Sequence, residues 1–93
     1  MNHEWHYVYI LYSLKDNKLY VGYTTNLNNR IKSHNEGFNT STKCRRPLIL
    51  IFAEAFINEK DARNRELFYK SGRGREVVKK ELENTFKMLE NHK

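Results

Sequence analysis

The stretch His6-Tyr7-Val8-Tyr9-Ile10-Leu11-Tyr12-Ser13-Leu14, followed through Lys15-Asp16-Asn17-Lys18 by Leu19-Tyr20-Val21-Gly22-Tyr23, decides the fold. Aromatic and β-branched residues crowd both arms, as pleated, half-buried strands require. The four polar residues between them read as a turn, so the two arms are expected to pair as an antiparallel hairpin. Alternation puts Tyr7 and Tyr9 on one face of the first strand and Tyr12 on the other.

Downstream, Thr24-Thr25-Asn26 offers helix N-caps, and Leu27, Ile31 and His34 fall on one helical stripe until Gly37 stops the helix. Residues 38–47 read as a polar, basic loop, in which Pro47 turns Arg46 away from helix. Leu48 to Ile57 is nearly apolar on both faces, which predicts a central strand covered by a helix on at least one side. Asn58 is expected to cap a second helix, with Ala62, Leu67 and Phe68 facing the core as far as Ser71-Gly72. Gly74 reads as a loosened turn, and Val78, Leu82, Phe86 and Leu89 as the stripe of a final helix. The predicted order is β-β-α-β-α-α: an α+β fold with a small antiparallel three-stranded sheet flanked by helices.

The chain has 93 residues, enough for one domain over 1–93. A 39% hydrophobic and 13% aromatic content is too apolar for disorder. No apolar run reaches the ~18–20 residues of a membrane helix, and no secretory signal is visible, so a cytoplasmic protein without membrane association is expected. A single cysteine, Cys44, excludes an internal disulfide and a multi-cysteine zinc site. The net charge of +6 is clustered: Lys43, Arg45 and Arg46 in the loop, then Arg63, Arg65, Lys70, Arg73, Arg75, Lys79 and Lys80 against only Glu66 and Glu76. Such clustering points to phosphate-bearing partners, since each neutralised phosphate releases condensed counterions. The competing reading is a solvated basic surface.

Five residues form a chemical set. Tyr9 and Tyr20 face each other across the hairpin, Arg30 and His34 emerge one turn apart on the first helix, and Glu66 lies mid-way along the second. Phosphodiester hydrolysis needs a proton acceptor for water, positive charge on the phosphoryl oxygens and usually a divalent metal, and this set can supply all three. His3, His6 and His92 have no partners at metal-ligand spacing.

Tyr7-Val8-Tyr9, then Tyr20-Val21-Gly22, then Arg30, His34 and Glu66 in that order resemble the GIY-YIG nuclease family over roughly Trp5 to Phe86. The family includes homing endonucleases, some restriction enzymes, structure-specific endonucleases and the N-terminal nuclease of the bacterial excision-repair incision protein. The chain is similar to its small stand-alone bacterial members. Tyr7 replaces the first Gly of the family name, Val replaces Ile in both motifs, and Tyr23 stands where some repair members carry Lys. For the further catalytic Asn of some members, Asn84 is the one candidate and is left unassigned.

The resemblance implies one divalent metal, Mg²⁺ or another such as Mn²⁺, on Glu66. Mg²⁺ keeps several waters, so one protein ligand is reasonable; the plain alternative for Glu66 is an i,i+4 ion pair with Lys70. It implies that Arg30 grips the scissile phosphate with its planar fork and that Tyr9 faces the attacking water. As a base Tyr9 would need nearby positive charge, from Arg30 and the metal, to favour phenolate. Tyr20 would orient phosphate or water, and His34 would take a proton from Tyr9 or bind phosphate. Lys43, Arg45, Arg46, Arg63, Lys70, Arg73 and Arg75 are the expected nucleic-acid contacts. The implied function is a metal-dependent endonuclease acting on DNA, structure-directed or weakly sequence-specific, in repair or recombination, with a protein partner or self-association aiding grip. A non-catalytic nucleic-acid-binding module, an RNA-directed nuclease and an interaction domain with incidental charge are the alternatives.

Overall fold

A computed structural model describes residues 4–91; His3 and His92 lie outside them. Strand β1 (His6–Ser13) pairs antiparallel with β2 (Leu19–Thr24), Tyr9 opposite Gly22 and Tyr12 opposite Leu19. Ser13 closes the turn between them: its Oγ accepts from the Lys15 and Asp16 amides and donates to the Arg45 carbonyl. Helix α1 (Leu27–Asn35) follows, capped by the Asn26 side chain, which accepts from the Asn29 amide. It ends at Glu36, just before Gly37, whose φ of +84° suits glycine.

The loop beyond holds one 3-10 turn, Lys43–Arg45, before β3 (Leu48–Phe56). Strand β3 pairs only with β1 among the described residues, giving the order β2-β1-β3. The apolar run 48–57 is therefore an edge strand and not the central one. The centre belongs to β1, whose residues Val8 to Ser13 are all buried, whereas β3 stays partly open and leaves Leu50 at the surface.

Three helices complete the chain: α2 (Glu59–Lys70), α3 (Gly72–Glu81) and α4 (Glu83–Asn91). Asn58 caps α2 as expected, accepting from the Lys60 and Asp61 amides. The core face of α2 is Ala62 and Tyr69 with Phe68 packed beside them; Ala62 and Phe68 face the core as expected, whereas Leu67 is exposed, a correction to the expected face. Positions 62 and 69 are two helical turns apart, whereas 67 is rotated to the solvent side. Gly74 lies inside the first turn of α3 and not in a loosened turn. A Cβ there would collide with the Phe68 carbonyl oxygen, so glycine is needed where α2 folds back into α3. The final stripe is split at Leu82 into two helices, with the Leu82 and Phe86 amides still bonded four residues back.

The sheet separates two clusters. Val8, Ile10, Tyr12 and Val21 pack with Ala62, Tyr69, Val78 and Leu89 of α2–α4. On the other face Tyr9, Leu11 and Leu48 pack with Tyr20 and with Leu27 and Ile31 of α1.

Candidate active site

Alternation along β1 sends Tyr9 to the α1 face, where its ring lies over Gly22 of the neighbouring strand. A Cβ at Gly22 would collide with Tyr9 Cζ and hydroxyl, so Gly22 is what admits the ring. His34, the one buried residue of α1, comes up from below. Tyr9 Oη and His34 Nε2 are 2.8 Å apart, and His34 Nδ1 is 2.7 Å from Thr42 Oγ1. All three side chains are essentially inaccessible to solvent. Tyr20 completes the cluster, its ring 5.0 Å from His34 and 6.3 Å from Tyr9, centroid to centroid. Tyr9, Tyr20 and His34 are thus brought together as the sequence predicts.

Thr42 was not foreseen. Nothing in the polar run 38–47 marks one hydroxyl among several as buried. The 3-10 turn carries it inward, with the Thr42 amide bonded to the Asn39 carbonyl. Two proton arrangements satisfy this chain of groups. Either Tyr9 donates to Nε2 and Nδ1–H donates to Thr42, or Thr42 donates to Nδ1 and Nε2–H donates to Tyr9.

Arg30 and Glu66 border the cluster closely enough for their charges to act on Tyr9. Burial holds the Tyr9 hydroxyl well above the ordinary tyrosine value, and Tyr20 and Glu66 push it the same way. Arg30 pulls it down, toward phenolate as expected, but does not outweigh burial, so Arg30 alone leaves Tyr9 a phenol at neutral pH. Burial, with Arg30 adding to it, lowers His34 from its usual value, leaving a neutral imidazole at pH 7. Arg30 itself is exposed, its Nη1 3.5 Å from Asn39 Oδ1.

Glu66 reaches from α2 with its side chain 13% exposed. Its oxygens face Lys70 Nζ at 3.0 Å and Arg63 Nη1 at 3.6 Å, so the i,i+4 pair with Lys70 is present. Among the described residues no group of three or more His, Cys, Asp or Glu side chains could cage a metal. One carboxylate whose counter-cations sit on long, half-exposed side chains could accept a hard divalent ion that keeps most of its waters, and Glu66 is the side chain that would hold it.

The seven basic residues fall into separate groups. Arg63 lies 3.6 Å over the Tyr23 ring and, with Lys70, beside Glu66. Lys43 is exposed in the 3-10 turn, next to exposed Cys44. Arg46 donates to the Lys43 carbonyl, its guanidinium packed against Gly37. Arg45 is taken up internally: it donates to Asp16 at 2.7 Å and to the Leu19 carbonyl at 3.2 Å, pinning the β1–β2 turn. Arg73 is exposed and Arg75 half-buried on α3. Asn84 is exposed on α4, which packs on the Tyr12 face of the sheet through Phe86 and Leu89. His6, set aside as a metal ligand, bonds the Tyr23 hydroxyl at 2.6 Å.

Residues 5–81 match the GIY-YIG catalytic domain. A UPF0213 protein of Staphylococcus haemolyticus is 50% identical over 62 residues, 66% of this chain and 74% of that protein. The UPF0213 protein YazA of Bacillus subtilis is 44% identical over 66 residues, 70% of this chain and 66% of its own length. The solution NMR structure of a UPF0213 protein from Bacillus halodurans, 39% identical, superposes with a TM-score of 0.52 over 80% of this chain and 81% of that one. The hairpin that carries Tyr9 and Tyr20 and the helices that carry Arg30, His34 and Glu66 all lie inside the matched span, and the chain belongs to the GIY-YIG nuclease family, similar within it to the small bacterial UPF0213 proteins.

Proposed function

We propose that the chain is a divalent-metal-dependent endonuclease that hydrolyses DNA phosphodiester bonds, structure-directed or weakly sequence-specific, acting on branched or flapped DNA such as arises in repair and recombination. The observation that carries this reading is the 2.8 Å contact between Tyr9 and His34, buried between strand and helix and bordered by the charges of Arg30 and Glu66.

A buried phenol is a poor base alone, so the proton must move through it. As the Tyr9 oxygen accepts a proton from the attacking water, its own proton passes to His34 Nε2, while Nδ1–H is held on Thr42. His34 is then a transient imidazolium, a charge that its burial and Arg30 disfavour, so it gives the proton back through Tyr9 once the phosphodiester bond has broken. Arg30, exposed beside this pair, receives the scissile phosphate and stabilises the charge that grows on its oxygens. Tyr20, its ring 5.0 Å from that of His34, would orient the phosphate or the water. Glu66 would hold the metal ion, Mg²⁺ or Mn²⁺, which when bound supplies Lewis-acid charge to the phosphoryl group.

One observation favours a second reading. Both Glu66 oxygens are already met by cations, as in a non-catalytic nucleic-acid-binding module where the carboxylate serves only as a helix ion-pair partner. The purified chain incubated with labelled flap, branched, duplex and single-stranded DNA, and with the matching RNAs, in Mg²⁺ or EDTA, separates the two. Products that require Mg²⁺ and are richest on flap or branched DNA are expected. Salt-sensitive binding without products selects the binding module, and cleavage of RNA alone changes the substrate.

A further inference from the structure

A groove of mixed polar and apolar lining lies on the face of the sheet opposite Tyr9. It opens between the β1–β2 turn and helices α3 and α4, with a volume of about 930 Å³, at the upper end of the ~300–1,000 Å³ usual for ligand sites. Phe86 lines it, half-buried, its ring 6.2 Å from that of buried Tyr12. One wall is cationic: Lys18 on the turn, and Arg75 and Lys79 one helical turn apart on α3. None of these three side chains forms an ion pair with a described residue. Like charges at i,i+4 repel, so the folded chain bears this cluster at a cost. The other wall carries two carboxylates, Glu83 and Glu90, and one cation, Lys87, which is tied to Glu83 at 3.5 Å.

We propose that this groove binds single-stranded nucleic acid, with phosphates on Lys18, Arg75 and Lys79, a base against Phe86, and the base's amino edge toward Glu83 and Glu90. The inference rests on the nucleic-acid reading above and names a second contact, separate from the one at Tyr9. Three features select a single strand. The unpaired cations lie on one wall and match one backbone, whereas Lys87 on the other is paired with Glu83, so that wall stays net negative and would repel a second. An aromatic ring between the walls suits a base free to leave its stack. Carboxylates accept hydrogen bonds from exocyclic amines such as cytosine N4. An acidic peptide would meet the cations but leave the ring and carboxylates unused. A flap end held here would keep its duplex junction at the opposite face.

The test is NMR titration of the ¹⁵N-labelled full chain, in EDTA, with a short oligodeoxycytidine. The expected result is amide shifts concentrated at Lys18, Arg75, Lys79 and Phe86, with affinity reduced at least about tenfold by Lys18→Glu with Lys79→Glu, two exposed substitutions whose folding the same spectra verify. Unchanged affinity in that variant overturns the proposal. Shifts confined to Arg30 and His34, or no shifts anywhere, overturn the groove; the nuclease reading is decided separately by the Mg²⁺ cleavage assay on flap and branched DNA. Equal affinity and the same shifts with duplex DNA overturn the single-strand assignment, and with polyglutamate the nucleic-acid one.

Discussion

Tyr9 occupies its position because Gly22 has no side chain. Gly22→Ala places a Cβ against the Tyr9 ring from the rigid backbone of the neighbouring strand, and such overpacking costs roughly 1–3 kcal/mol. Urea denaturation is expected to show that loss, and cleavage should fall with it because the ring is displaced from His34. The histidine gives a second prediction. Its folded-state value lies below its unfolded one, chiefly through burial, so as the pH falls below about 6.5 the unfolded chain takes up a proton that the folded chain resists. Stability should therefore be indifferent to this group above about 6.5 and decline below it, and His34→Gln should flatten that decline in denaturation curves taken across pH. The meeting of Tyr9, Tyr20 and His34 was legible in the sequence, because strand alternation and helical spacing aim their side chains, and the family motifs add Arg30 and Glu66 as candidates beside them. Thr42 and the ring-over-glycine contact at Gly22 were not, since loop trajectories and cross-strand closeness leave no periodic trace.

At the scale of elements, the corner between α2 and α3 is the tightest junction. Ser71 caps α3 by accepting from the Gly74 amide, and the same turn carries the Gly74 backbone against the Phe68 carbonyl. Two glycines two residues apart should then respond oppositely. Gly74→Ala must force the helices apart and is expected to cost about 1–3 kcal/mol or more. Gly72→Ala meets nothing within 4 Å and should be neutral or stabilising by up to about 1 kcal/mol, from the reduced freedom of the unfolded chain. Thermal unfolding of the two variants side by side checks this; equal losses would contradict it. The hairpin, α1, the Asn58 cap and the C-terminal stripe were legible because each has a local signal. The placement of β3 was not. An apolar run such as Leu48 to Phe56 reports affinity for apolar neighbours, but whether it pairs on one side or two depends on which strand the hairpin offers it, and here that is β1 alone.

Over the whole molecule, the sheet keeps two kinds of surface apart. On the α1 side stand the buried Tyr9–His34–Thr42 chain and exposed Arg30; on the α3–α4 side lies the groove with its one cationic wall. The net charge of +6 is not a single stripe. Composition alone could not show this, because Arg45 is consumed by Asp16 while Lys18, which reads only as a turn residue, joins Lys79 at the groove. Among the described residues no helix is long and apolar enough to cross a membrane. The central claim is that Glu66, at the edge of the tyrosine–histidine cluster, is the carboxylate on which phosphodiester cleavage depends. The most direct measurement compares wild type and Glu66→Gln on the preferred labelled DNA in Mg²⁺, with binding followed in parallel by fluorescence anisotropy. Cleavage is expected to fall at least about a hundredfold, equivalent to ~2.7 kcal/mol of transition-state stabilisation, while DNA binding is retained or strengthened. Cleavage by Glu66→Gln at the wild-type rate would contradict the account.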